Sequence, residues 1–311
     1  DKYLMNFFTD RTDGLLYKEV KANTVSKKHF VVEDLKNFIS NTSLNRKPFK
    51  MLLSKYNNNE KQLLEDFQQF LDNRIKESKN MALFLNKNKA VTFEGVKINL
   101  FYPSGSVTHS DKLFDENIFS VVQELPYVYY YNGKKMFSFR PDITFFVNGI
   151  YLGYSELKSN YNNQSAFKDG KSKIANDYQK AVTSYLEIAD GNDSNKSIKK
   201  DFLKIFEKAI HISTTDVEKT YLIRTIANHF DSIKEKVDDK SFDFDDYKKN
   251  LSSSLKPYPV EKYDASRQDR FEEVFRSLYS KKMIEREILY YNFIERELVK
   301  SNENEKDYKH N

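Results

Sequence analysis

The 311-residue chain contains no cysteine and no tryptophan, and it has only 8 glycines and 6 prolines. Without cysteine there is neither a disulfide nor a thiol nucleophile. The five histidines are scattered along the sequence, so a zinc site or a histidine-based triad has no support. Thiol chemistry is therefore excluded, and metal chemistry based on histidine is not indicated.

Long apolar runs are also missing. The sequence has no stretch of about 18 consecutive apolar residues, and its N-terminus lacks the apolar segment of a signal peptide. We therefore expect a soluble, cytoplasmic protein without a membrane partner. The net charge of +5, from 51 basic and 46 acidic residues, is too small to indicate nucleic-acid binding on its own.

A nucleotide site is not predicted either. Gly170-Lys171-Ser172 is similar to the end of a phosphate-binding loop, but Ser165 stands where that loop requires its first glycine. No strand runs directly into this segment. The chain itself therefore shows no site for ATP.

What the sequence does contain is a large apolar core with 25 Phe and 21 Tyr, arranged in alternating helical and strand-like segments. The pattern predicts an α/β fold with a mixed central β-sheet flanked by helices, followed by a mostly helical C-terminal region. We predict three regions: an α+β lead-in at 1–58, the α/β core at 59–225 and a helical segment at 226–311.

The most informative stretch is RPDITFFVNGIYLGYSELK, from Arg140 to Lys158. Two apolar runs flank Asn148-Gly149, a dipeptide that favours a tight β-hairpin turn because both residues tolerate positive φ. Since side chains alternate along a strand, Glu156 and Lys158 share one face.

Whether Asp142 joins them depends on the pairing register. A regular hairpin with a two-residue turn places Asp142 opposite Ser155, which leaves the two carboxylates on opposite faces. A three-residue loop with a bulge at Gly149, or a bulge at Gly153, shifts the pairing by one residue. A functional site therefore requires one of these irregularities.

Two neighbouring carboxylates repel each other unless a hard cation such as Mg²⁺ lies between them. Such an ion activates water and stabilises charge on a phosphodiester under attack, and Lys158 would orient the water or neutralise the phosphate. The alternative is an ordinary hairpin whose charged residues are solvated or form a salt bridge.

RPDITFFVNGIYLGYSELKS resembles the PD-(D/E)xK nuclease motif of the restriction subunit of type I restriction-modification enzymes. The segment at 117–123 is similar to the strand that precedes this motif, 30–75 to the helical lead-in, and 258–294 to the passage from nuclease to motor. The resemblance implies a restriction-endonuclease-like core at 59–225 and a helical linker at 226–311.

The resemblance also implies site residues. Asp142, Glu156 and Lys158 would be catalytic, and Mg²⁺, or alternatively Mn²⁺, would be held by Asp142, Glu156, the Leu157 carbonyl and an upstream glutamate, for which we choose Glu65. In the family a Gln-x-x-x-Tyr element on the next helix touches DNA. Here the candidates Gln179 and Tyr185 are six residues apart and do not share a helix face, whereas Tyr178 and Tyr185 do. Packing of an amphipathic helix therefore explains Tyr178 and Tyr185 somewhat better than contact with DNA.

The helix after the motif also carries Lys171 and Lys173, which would contact DNA phosphates without reading sequence. A solvated helix face explains these lysines equally well.

The partners implied are double-stranded DNA and the methyltransferase and specificity subunits of a restriction-modification complex, with ATP used only by a motor region absent from these residues. With nothing similar to a base-reading element, we expect weak DNA binding and little sequence preference. Two alternatives remain: a standalone restriction or repair nuclease of the same superfamily, and a catalytically inactive DNA-binding or assembly module.

Overall fold

A computed structural model describes residues 2–78, 80–105, 112–131, 133–190, 204–223, 243–258 and 267–290. Within them a mixed seven-stranded sheet forms the centre of the molecule. Its strands, in spatial order, are β1 (Lys18–Glu19), β4 (Phe119–Gln123), β7 (Ile143–Val147), β8 (Ile150–Leu157), β9 (His211–Thr215), β10 (Thr220–Ile223) and β11 (Lys256–Pro257). The pairs β1–β4 and β8–β9 are parallel, and the other neighbouring pairs are antiparallel.

Two further hairpins lie outside this sheet: β2 (Ala90–Phe93) with β3 (Val96–Asn99), and β5 (Tyr127–Tyr131) with β6 (Lys134–Phe139). The β5–β6 hairpin leads directly into the segment that carries Asp142. It also contacts the helix that follows β8, since Ser184 Oγ donates to the carbonyl of Met136 at 2.9 Å.

Among the described residues, the α-helices include α1 (Lys2–Thr9), α2 (Val32–Asn41), α3 (Arg46–Lys55), α4 (Glu60–Glu77), α5 (Met81–Lys87), α6 (Lys171–Asp190), α7 (Lys204–Glu207), α8 (Phe244–Ser254) and α9 (Arg267–Tyr279), and residues 281–290 are also helical. One π-helical turn, Ala166–Gly170, runs into α6. The crossover between the parallel strands β8 and β9 contains α6 and α7, as such connections usually require a helix.

Both faces of the central sheet are covered by aromatic side chains. On one face Tyr154 of β8 packs against Phe139 and Phe206, from the β5–β6 hairpin and α7. On the other face Phe145 of β7 stacks on Tyr279 of α9, with ring centroids 3.7 Å apart. Burial on both sides explains why β7 and β8 consist almost entirely of apolar residues.

The observed architecture confirms the predicted α/β class with a mixed sheet and flanking helices. Strands from all three predicted regions enter the same sheet, since β1 lies before residue 58 and β11 after residue 225. Among the described residues no helix is both long and apolar enough to cross a membrane.

Candidate active site

The turn between β7 and β8 is the tight, two-residue turn that Asn148-Gly149 predicts. Their φ angles are +50° and +76°, and Val147 pairs with Ile150. The turn is buried: Asn148 accepts a hydrogen bond from the N–H of Ile118 and donates to the carbonyl of Leu100. A Cβ atom on Gly149 would lie 2.4 Å from the carbonyl oxygen of Val31, so only glycine fits there.

A bulge in β8 changes the register beyond this turn. Phe146 pairs with Tyr151 but Phe145 pairs with Gly153, which leaves Leu152 as an extra residue in β8. Ile143 then pairs with Ser155. The predicted irregularity is therefore confirmed, and of the two alternatives it is the bulge beside Gly153, since the Asn-Gly turn keeps its two-residue form.

The shifted register places both carboxylates on one face. Asp142 precedes Ile143 and Glu156 follows Ser155, so the two residues face each other across the ends of β7 and β8. Asp142 Oδ2 accepts a hydrogen bond from the N–H of Leu157 at 2.7 Å, which ties its side chain to β8. The carbonyl of Asp142 accepts from the N–H of Glu124 at 2.8 Å, which holds its main chain beside β4.

Glu156 and Lys158 lie together, as the strand alternation predicts. The Lys158 ammonium is 3.6 Å from Glu156 Oε2, and its side chain is 9% exposed. The N–H of Lys158 donates to the carbonyl of Thr215 at 2.8 Å, so β9 holds the main chain of this residue in place. Glu156 is only 1% exposed.

A second lysine reaches the same carboxylate. Lys173, in the first turn of α6, donates a hydrogen bond to Glu156 Oε1 and another, at 3.3 Å, to the carbonyl of Arg140. Oε2 of Glu156 is buried and has no hydrogen-bond partner among the described residues. The two oxygens of Glu156 thus differ: Oε1 accepts a hydrogen bond from Lys173, whereas Oε2 accepts none and lies 3.6 Å from the Lys158 ammonium.

The environment of Glu156 opposes its ionisation. Burial, followed by the nearby charge of Asp142, raises the pKa of Glu156 to about 7, while Lys173 and Lys158 act in the opposite direction. Burial in a site of low polarity disfavours a carboxylate, and a second carboxylate nearby has the same effect. A divalent cation would relieve both effects.

The residues present suit a hard cation with few protein ligands. The unpartnered Oε2 of Glu156 and the side chain of Asp142 offer oxygen atoms, and Mg²⁺ commonly takes one or two carboxylates while waters and substrate phosphate complete its coordination. The Leu157 carbonyl stays a predicted ligand. The structure does not bring Glu65 to this pair: Glu65 is exposed on α4, opposite the apolar stripe that faces the core, and the described part of the chain has no group of three metal-binding side chains.

The residues predicted to contact DNA all belong to α6, but the described side chains among them do not form a common exposed surface. Gln179 is half-buried on α6, and the side chain of Tyr185 lies outside the described residues. Lys171 is buried, with its ammonium 5.0 Å from the ring centres of Phe167 and Tyr221. Its geometry indicates packing rather than phosphate contact, because the two rings cover its charge.

Two further groups near Glu156 were not predicted from the sequence. The Arg140 carbonyl accepts a hydrogen bond from Lys173. Asp177, one turn further along α6, is buried near the charges of Lys173 and Lys158. Burial raises the pKa of Asp177, while the neighbouring lysines oppose that shift. Only the i to i+4 spacing of Lys173 and Asp177 on one helix face signals this arrangement in the sequence.

Comparison with protein families gives a match over most of the chain. The profile of the type I restriction enzyme R protein N terminus covers residues 18–222, which is 205 of the 311 residues. The matched range contains Asp142, Glu156, Lys158 and Lys173. Comparisons with curated proteins and with solved structures gave no significant match.

Proposed function

This chain belongs to the family of the type I restriction enzyme R protein N terminus, and from that premise we propose that it is a metal-dependent DNA endonuclease domain of the PD-(D/E)xK type. The observation that carries the proposal is the β8 bulge. This bulge brings Asp142 opposite Glu156, with the Lys158 ammonium 3.6 Å from Oε2 of Glu156, which accepts no hydrogen bond among the described residues.

In the proposed reaction Asp142 and Glu156 hold Mg²⁺, which when bound lowers the pKa of a water molecule and stabilises the charge that develops on the phosphate. Asp142 is oriented by the N–H of Leu157. Lys158, held between β9 and Glu156, is fixed where an ammonium can direct the attacking water or balance negative charge on the phosphate.

The substrate we propose is double-stranded DNA, cut without base recognition by these residues. Arg140 and Lys180 are exposed on the two segments that border the carboxylates and would contact phosphates. Family membership places the chain in a restriction-modification context, and we propose that methyltransferase and specificity subunits select the DNA while an ATP-driven motor elsewhere in the R subunit moves it.

The proposal is tested by Mn²⁺ titration calorimetry of the chain and by nicking of supercoiled plasmid in Mg²⁺ or Mn²⁺. Glu156→Gln and Asp142→Asn should each lower Mn²⁺ affinity by about 100-fold, because each removes a charged ligand. Lys158→Met should keep Mn²⁺ binding but slow cutting by about 100-fold or more. Glu77→Gln, at the exposed end of α4, is the matched control and should change neither measurement.

A wild-type chain that binds no Mn²⁺ at millimolar concentration contradicts the proposal. One observation favours a second candidate, the inactive DNA-binding module: both oxygens of Glu156 lie beside a lysine, as in an inert ion-pair cluster. If the chain is such a module, it should bind no metal. Glu156→Gln should then leave its DNA affinity, measured by fluorescence anisotropy, unchanged.

A further inference from the structure

Lys173 occupies the centre of the site without a role in the proposed reaction. Its ammonium binds Glu156 Oε1 and also the carbonyl of Arg140, two residues before Asp142. One cation thus contacts both segments that carry the carboxylates. This is the region in which the proposed function requires a metal ion.

A divalent cation bound by Glu156 would meet two ammonium groups. The repulsion between a dication and a unit positive charge a few ångströms away is strong inside a protein, so at least one lysine has to withdraw. Lys158 is 9% exposed and its main chain is fixed to β9, whereas the Lys173 side chain is 35% exposed at the start of a helix. Lys173 is therefore the group that is free to turn toward solvent.

We propose that Lys173 is an internal counter-ion of Glu156 that the metal displaces. Without metal, its ammonium compensates the buried carboxylate and holds the segments bearing Asp142 and Glu156 together. When metal binds, Lys173 leaves Oε1 and its charge becomes available at the rim of the site, where it can pair with a DNA phosphate. The inference rests on the proposed function, because it presupposes a metal at Glu156.

The first test compares Mn²⁺ affinity in the absence of DNA, by titration calorimetry on the full chain. Lys173→Met should bind Mn²⁺ about tenfold more tightly than wild type or better, since the competing charge is gone. Lys173→Arg keeps the charge and should resemble wild type. Lys168→Met removes one charge from an exposed position just before α6 and serves as the matched control with unchanged affinity.

The results separate this inference from the proposed function. If Lys173→Met binds Mn²⁺ as tightly as wild type or more weakly, while Glu156→Gln shows the large loss of affinity that the proposed function predicts, the displacement is wrong and the metal site stands. If no variant binds Mn²⁺, both the metal site and the displacement are wrong.

The second test needs no substitution. Lysine acetylation followed by mass spectrometry measures how readily each lysine amine reacts, and a lysine that a carboxylate holds in its protonated form reacts slowly. Adding saturating Mn²⁺ to the wild-type chain should speed the labelling of Lys173 several-fold and leave that of Lys168 unchanged. Unchanged labelling of Lys173 in a chain that binds Mn²⁺ through Glu156 would overturn the displacement.

Discussion

At the scale of single residues, Glu156 combines two requirements that oppose each other. A metal ligand has to be ionised, yet its burial and the neighbouring Asp142 raise the pKa of Glu156 to about 7 from an ordinary value of 4.5. Because the folded protein holds this proton more tightly than the unfolded chain, Glu156 lowers the stability of the metal-free fold as pH rises from about 4.5 to 7. If Glu156 is the metal ligand that we propose, its burial lowers the stability of the metal-free fold in exchange for a carboxylate placed to bind a cation.

Glu156→Gln should therefore stabilise the protein in the absence of metal. The gain in unfolding free energy should be small near pH 4.5 and reach up to about 3 kcal/mol near pH 8, since glutamine cannot ionise. Urea denaturation in the presence of a chelator measures it at both pH values. If the gain in unfolding free energy does not depend on pH, or if Glu156→Gln is less stable than wild type at pH 8, the lysines fully offset the cost of burying the Glu156 charge.

At the scale of elements, the β7–β8 hairpin shows which structural features the local sequence predicts and which it does not. Asn148-Gly149 predicts the turn, and the two apolar runs predict β7 and β8, because those signals depend on backbone preference and alternation alone. The bulge was predictable only as a condition. Gly153, which lies beside it, approaches β9 so closely that a Cβ atom there would be 2.1 Å from the carbonyl oxygen of His211, a contact between segments far apart in the sequence. Local patterns contain no information about that contact.

The contact between Lys173 and Glu156 could not be predicted from the sequence for the same reason. Its sequence position indicates a helix lysine, and the predicted role was contact with DNA phosphates. Its pairing with Glu156 depends on how α6 crosses the sheet after the π-helical turn. Glu65 shows the same limit. Its position on an amphipathic helix predicts that its side chain is exposed, but that position does not predict how far the side chain lies from Asp142.

Gly153→Ala tests the importance of close packing at the bulge. The added methyl group collides with main chain of β9 that cannot move aside easily, so we expect a loss of about 3 kcal/mol or more in unfolding free energy and weaker Mn²⁺ binding. Gly133→Ala is the control: its φ of +77° strains alanine, but no atom lies within 4 Å of the new Cβ. That change should cost only about 1 kcal/mol and leave Mn²⁺ affinity intact. Equal losses for the two variants, measured by urea denaturation, would contradict the steric explanation.

At the scale of the whole molecule, the sheet separates the candidate site from a structural face. Asp142 points to the side covered by α6, while Phe145, three residues later, points to the side where α1 and α9 pack. Arg11, two residues after the end of α1, also forms a salt bridge with Glu272 of α9. Residues far apart in the sequence therefore pack against the back of β7, the strand that begins directly after Asp142.

Tyr279→Ala should destabilise the fold without altering the site. Removing a ring that is 1% exposed and stacked on Phe145 should cost about 3 to 5 kcal/mol, measured by urea denaturation. Mn²⁺ affinity of the folded variant should match wild type, because the ring lies on the opposite face of the sheet. Tyr290→Ala, at a 58% exposed position, should change stability by less than about 0.5 kcal/mol. A large loss of Mn²⁺ affinity in Tyr279→Ala would show that the two faces are coupled.

The extra residue at Leu152 also bears on how relatives of this chain should be aligned. Thirteen residues separate Asp142 from Glu156, an odd number that a regular hairpin with a two-residue turn cannot reconcile with two carboxylates on one face. A relative with one residue fewer in this interval would bring the same side chains together with no bulge at all. Single-residue gaps between the aspartate and the glutamate are therefore structurally meaningful, and an alignment that closes them would superimpose residues from opposite sides of the sheet.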